Sequence, residues 1–240
     1  EIYTLSLHDA LPISSLAQRP VRRRISGDNG AMRHIIWDMG GTLVNTYPEV
    51  DRVLCEAAFG DAEPEHVRHV TSLTRRSIAH AIATLAVEHD LAPRVFEEAY
   101  AGLKERWRHR PAPVMDGARE VMARVSGLGG LNLVATHRDR ASATDLLRAL
   151  DLTVDDMVCA PDGIARKPSP AMNLLLAERH GLDPAEVLCV GDRPIDVMAA
   201  RAAGMAASLL VRPGTSVTLP DDAPGALVVA SLRDLLALLD

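Results

Sequence analysis

Short apolar runs alternating with stretches of helical period leave this chain few ways to fold. The first run, Arg33 to Trp37, ends in the acid Asp38 and enters a Gly40-Gly41 loop. Four more follow, over 131–136, 157–160, 187–190 and 206–211, with a sixth candidate over 226–230. Each reads as a short, apolar, buried strand. Helical patterns over 118–125, 141–150, 170–180, 195–203 and 231–239 separate or follow them, and Gly204 is placed to end the fourth. Alternation of this kind predicts a three-layer α/β core, a parallel sheet covered by helices on both faces. In such sheets ligands bind beyond the carboxyl ends of the strands.

One segment interrupts the alternation. Residues 48–113 hold no convincing strand and are helical in pattern over 51–58, 65–87 and 94–108. Pro48 opens the segment, and Pro111 and Pro113 close it. The expectation is an all-helical cap domain over 48–113, inserted into a core made of 32–47 and 114–240. Residues 1–31 share neither period and carry Arg22, Arg23 and Arg24 after their mildly apolar part, the wrong order for a secretory signal. They are expected to be a non-native or disordered extension, with Met32 as the natural start.

Composition removes several classes of function. The 26 basic residues against 32 acidic give a net charge of −6, unsuited to nonspecific binding of nucleic acid. No apolar run approaches the roughly 18 residues of a membrane span. Cys55, Cys159 and Cys189 are odd in number and lack C-x-x-C spacing, which argues against a disulfide framework or structural zinc and for a reducing cytoplasm. No feature specifies an oligomeric state.

Four short motifs fall at predicted strand ends. They are Asp38-Met39-Gly40-Gly41-Thr42-Leu43, Thr136 closing LNLVAT, Lys167 in Arg-Lys-Pro-Ser-Pro, and Gly191-Asp192-Arg193-Pro194-Ile195-Asp196. Singly each is weak. In this order on an α/β alternation they are a strong signal. Lys167 is also one of only two lysines, with Lys104, in an arginine-rich chain, as if a compact ammonium were needed there.

From these motifs the chain resembles the haloacid dehalogenase-like superfamily of hydrolases over about 32–240. It is most similar to the subgroup with a helical cap after the first motif, which includes phosphoglycolate-phosphatase-like proteins. The resemblance implies a Rossmann-like core and a Mg²⁺-dependent hydrolase of small phosphorylated metabolites. It implies Asp38 as the nucleophile that forms an aspartyl-phosphate, and the chemistry of phosphoryl transfer agrees. Gly40 and Gly41 let the backbone approach the phosphate and offer N–H donors. The Thr136 hydroxyl and the His137 amide are further donors, Lys167 is the balancing charge, and Arg193 stands near the site mouth, facing a substrate anion or Asp139. Asp38, Asp192 and Asp196, with the Gly40 carbonyl, are the implied Mg²⁺ ligands.

The chain departs from the pattern at Gly40, where the phosphatases carry the acid that protonates the leaving oxygen and later activates water. Loss of such a group costs about 10²–10⁴ in rate. Three readings follow. A histidine substitutes, with His137 and the cap residues His66, His69, His80 and His109 as candidates. Alternatively the substrate is a phosphonate, with Lys104 as the cap lysine. Otherwise the protein binds a phosphorylated ligand or a partner without turnover. The cap residues Arg75, Arg76, Arg108 and Arg110 read as solvated helix charges, Trp37 as core and Cys189 as an inert buried thiol.

Overall fold

The computed structural model describes residues 32–211 and 226–239, and the extension expected over 1–31 lies outside them. Six parallel strands form one sheet: β1 (His34–Trp37), β2 (Asn132–Thr136), β3 (Asp156–Cys159), β4 (Val187–Gly191), β5 (Ala206–Leu210) and β6 (Leu227–Val229). Their spatial order is β3-β2-β1-β4-β5-β6, so the chain builds outward from β1 to one edge and then restarts beside β1 toward the other. The switch point lies between β1 and β4, where Trp37 pairs with Val190.

The period-2 alternation of β1 divides the core. Ile35 and Trp37 join one apolar cluster with α5 (Ala118–Gly127) and α6 (Arg140–Ala149). Ile36 joins a second with α7 (Ala171–His180) and α8 (Pro194–Ala202). Trp37 is fully buried, and its indole N–H donates to Asn132 Oδ1 at 3.1 Å. Gly204, at φ +74°, follows α8 in the left-handed conformation that suits a helix end. Cys55, Cys159 and Cys189 are free and buried, and burial pushes the Cys189 thiol up to about 12. Among the described residues no helix is long and apolar enough to cross a membrane.

Between β1 and α5 lies the helical cap: α1 (Tyr47–Phe59), α2 (Pro64–Thr74), α3 (Ile78–Glu88) and α4 (Pro93–Arg106). Its apolar faces join the cluster on the α5 side of the sheet, through Leu54, Val70, Leu85, Phe96 and Leu103. Two expectations need correction. The helical pattern over 65–87 is two helices, because Ser77 is extended and its hydroxyl accepts from the His80 N–H at 2.9 Å, capping α3. The segment after β6 is a 3₁₀ helix over Leu232–Leu238, closed by i to i+3 bonds such as Asp234 N–H to Ser231 carbonyl at 3.1 Å.

Candidate active site

The strand switch places the ends of β1 and β4 side by side, and the acids stand there. Asp38 follows β1, and its N–H donates to the Val190 carbonyl of β4 at 2.8 Å. Asp192 follows β4, and Asp196 sits in the first turn of α8. Gly191 makes room between them, since a Cβ there would fall 2.3 Å from that of Asp196. One carboxylate oxygen each of Asp38, Asp192 and Asp196 lie within 4.8 Å of one another, and all three residues are buried.

Lys167 arrives from the loop between β3 and α7, also buried. Its Nζ donates to Asp38 Oδ1 at 2.7 Å and to Asp196 Oδ1 at 2.5 Å. Burial opposes its charge, but the two carboxylates hold its pKa above the ordinary lysine value. Burial raises the Asp38 carboxyl against the pull of Lys167. Burial also acts on Asp196, but Lys167 and Arg193 outweigh it and hold that carboxyl low. Asp192 has no such ammonium; burial, with Asp38 and Asp196 nearby, pushes it up to about 7. Its Oδ1 is buried and, among the described residues, has no hydrogen-bond partner. Three clustered carboxylates with an orphaned oxygen are a donor set that fits a hard divalent cation.

The Gly40-Gly41 loop borders this cluster. Gly41 has φ +93°, and a Cβ there would fall 2.5 Å from Asp192 Oδ2 and 2.3 Å from the Tyr47 ring. Its N–H donates to the Val44 carbonyl at 2.8 Å, so the expected donor role of Gly41 is corrected. It serves the site through its missing side chain. Thr136, the last residue of β2, is buried, and its Oγ1 accepts from the Arg138 N–H at 3.1 Å. That leaves its hydroxyl hydrogen free to donate. Arg193 donates its backbone N–H to Asp196 Oδ2 at 3.1 Å, and its Nε has no partner among the described residues. Asp139, its other expected partner, instead caps α6 and pairs with Lys104 at 3.3 Å.

A cavity of about 310 Å³ opens beside Asp38, which lines it with Gly40, Thr46, Thr136, His137 and Arg193. Tyr47, Ile78, Ala79, Ile82 and Tyr100 supply a largely apolar wall from the cap. None of the expected cap histidines lines it. His66 is held by Asp61 at 2.7 Å and stacks on Phe59, and His69 is held by Glu88 at 2.8 Å. Lys104 borders a neighbouring cleft instead, beside Trp107 and Asp145. His137 does line the cavity, but its Nε2 accepts the Lys167 N–H at 3.0 Å. Burial and the cations around it push its pKa down to about 4, so the ring is neutral with its proton on Nδ1 and its lone pair occupied.

Arg75 was expected to be a solvated cap charge. It lies just past α2, pairs through Nη1 with Asp192 Oδ2 at 3.3 Å and stacks over the Tyr47 ring at 4.1 Å. The signal available in the sequence was Ser77, whose capping ability marks a helix break and so a turn at Arg75. Arg108 is itself exposed and pairs with the exposed Glu105 and the half-buried Asp145.

Comparison with known proteins bears on this geometry. Residues 32–204 match the family model described as haloacid dehalogenase-like hydrolase. A probable phosphatase, IndB of Dickeya dadantii, is 32% identical over 180 residues, covering 72% of this chain and 78% of the relative. A phosphoglycolate phosphatase of Pseudomonas putida is 30% identical over 219 residues, covering 85% and 78%. The crystal structure of a predicted phosphoglycolate phosphatase from Haemophilus somnus superposes with a TM-score of 0.73 at 18% identity, covering 89% of this chain and all of that one, and shares the fold.

Proposed function

Because the chain belongs to the haloacid dehalogenase-like hydrolases, whose named relatives here are phosphatases, we propose that it hydrolyses small phosphorylated metabolites through a phosphoryl group carried on Asp38. The observation that carries this reading is the Lys167 ammonium bridging Asp38 and Asp196 beside Asp192 at the strand switch. Lys167 engages Asp38 Oδ1, which leaves Oδ2 to attack phosphorus. The ester P–O bond breaks as the O–P bond to Asp38 forms, and the alcohol oxygen leaves with the electron pair. Water then attacks the aspartyl-phosphate, the bond to Asp38 breaks, and the carboxylate is restored. Thr136 donates its hydroxyl to a phosphoryl oxygen, and Arg193 presents its unpartnered Nε–H to the bound anion. Asp38, Asp192, Asp196 and the Gly40 carbonyl would hold Mg²⁺, which when bound neutralises the acids and polarises the phosphoryl group. The buried, unpaired cysteines suit a reducing, cytoplasmic setting.

Gly40 shapes the substrate range. With no carboxyl there to protonate the departing oxygen, esters of acidic alcohols are favoured. Aryl and acyl phosphates should turn over at least about 10²-fold faster than alkyl phosphates. Multiple turnovers on a panel of phosphate esters test the reading, and its failure on every ester would reject it. A second reading, a phospholigand-binding protein without turnover, rests on the same Gly40; Mg²⁺-dependent phosphate binding with no turnover would select it.

The Gly40→Asp variant should raise alkyl phosphate turnover by about tenfold or more. Gly40 is not among the left-handed glycines, so an aspartate fits its backbone. Its Cβ would lie 3.3 Å from Thr46 Oγ1, a contact that a small shift relieves. Unchanged alkyl phosphate kinetics in this variant would show that a group already present does the work of the missing acid.

A further inference from the structure

The position that Gly40 leaves without a side chain has a polar neighbour. Thr46 is only 4% exposed, and it lines the cavity that holds Asp38. It stands at the N-terminus of α1, where a threonine hydroxyl ordinarily caps the helix, yet its side chain makes no capping bond. Among the described residues its hydroxyl has no hydrogen-bond partner; its backbone is engaged, donating N–H to the Val44 carbonyl at 2.9 Å and accepting the Val50 N–H at 3.1 Å. A hydroxyl that the fold does not use, on a residue lining the cavity, is available to whatever enters it. Its Oγ1 lies 3.3 Å from the point where a Cβ at residue 40 would stand, so it borders the slot of the missing acid. The histidines considered for that slot do not offer a free group there: His137 Nε2 is taken by the Lys167 N–H, His66 by Asp61 and His69 by Glu88, and His80 and His109 do not line the cavity.

We propose that the Thr46 hydroxyl is a catalytic residue that orients the water attacking phospho-Asp38, in the place vacated at Gly40. This rests on the phosphatase reading above. The water donates one hydrogen bond to Thr46 Oγ1, and the Thr46 hydroxyl donates its own hydrogen to a phosphoryl oxygen. As the water oxygen bonds to phosphorus, the P–O bond to Asp38 breaks and its electron pair returns to the carboxylate. One proton passes from water to Thr46 as the threonine proton passes to the phosphate, so Thr46 ends as it began. A hydroxyl is too weak a base to remove the proton outright, and the relay delivers it to the product.

Thr46→Val removes the hydroxyl and keeps the shape, whereas Thr46→Ser keeps the hydroxyl. With an aryl phosphate under rapid mixing, Thr46→Val should retain the burst of released phenol and slow the steady state by about 10- to 100-fold, with phospho-enzyme accumulating. Thr46→Ser should stay within about threefold of wild type, and neither variant should lower the melting temperature, since the hydroxyl supports no helix cap. In a Gly40→Asp background, Thr46→Val should cost much less, because the carboxylate then holds the water. Wild-type steady-state rates in Thr46→Val, or an equal loss in Thr46→Ser, would overturn the proposal. So would a slow steady state in Tyr47→Phe with Thr46→Val unaffected, which assigns the role to the phenol. Absence of any burst or turnover in the wild type would instead remove the phosphatase reading itself.

Discussion

Asp38→Asn should reduce turnover of every phosphate ester to background, a loss on the order of 10⁴-fold or more, the scale of removing a nucleophile. The amide is nearly isosteric and can still accept from Lys167, but it carries no electron pair able to displace an alkoxide. The variant should also form no phospho-enzyme, read as the absence of a phosphoryl mass increment after quenching. Folding stability should not fall with activity. Burial raises the Asp38 pKa, so above the ordinary carboxylate range its ionisation costs stability in the absence of metal. A neutral amide avoids that cost, and the melting temperature should hold or rise. Turnover that survives in Asp38→Asn would place the nucleophile elsewhere. A collapse of the melting temperature would mean that Asp38 is structural.

Lys167→Met should do the opposite to stability and comparable harm to activity. Its side chain is 3% exposed and lies between two carboxylates that are 4% and 5% exposed. Methionine fills much of the space but leaves Asp38 and Asp196 buried without their ammonium, a loss of roughly 3–5 kcal/mol. The deficit should depend on pH. In the wild type the Asp196 carboxyl is held low, so its pairing stabilises the fold above the ordinary carboxylate range and the benefit fades as the pH falls. Without Lys167 both carboxyls rise, and ionising them opposes folding. The difference in melting temperature between variant and wild type should therefore widen from pH 5 to pH 8. Lys167→Arg should not restore activity, since a planar fork cannot replace a compact ammonium between two acids. Lys104→Met, at a pair whose side chains are 32% and 45% exposed, should cost no more than about 1 kcal/mol.

Much of this architecture can be read from local pattern. Apolar runs at strand length mark β1 to β5, since a strand buried on both faces is apolar along most of its length. Parallel strands share one carboxyl edge, so acids and a lysine that follow different strands converge there, as Asp38, Lys167, Asp192 and Asp196 do. The pattern was less informative in the cap. A continuous helical period over 65–87 hides the break at Ser77, because the apolar spacing carries through the turn while a single hydroxyl decides where the helix restarts.

Sequence alone determined the layers, the order of motifs and the absence of a side chain at residue 40, because strand length, helical period and residue type are local properties. Tertiary structure alone decided which further groups meet around the acidic cluster. Arg75 reaches Asp192 across 117 positions, the His137 lone pair is taken by Lys167, and the Thr46 hydroxyl is left facing the slot at Gly40. A hydrogen bond or ion pair depends on distances of a few tenths of an ångström. Those distances are set by how separate elements pack, and no spacing along the chain encodes them.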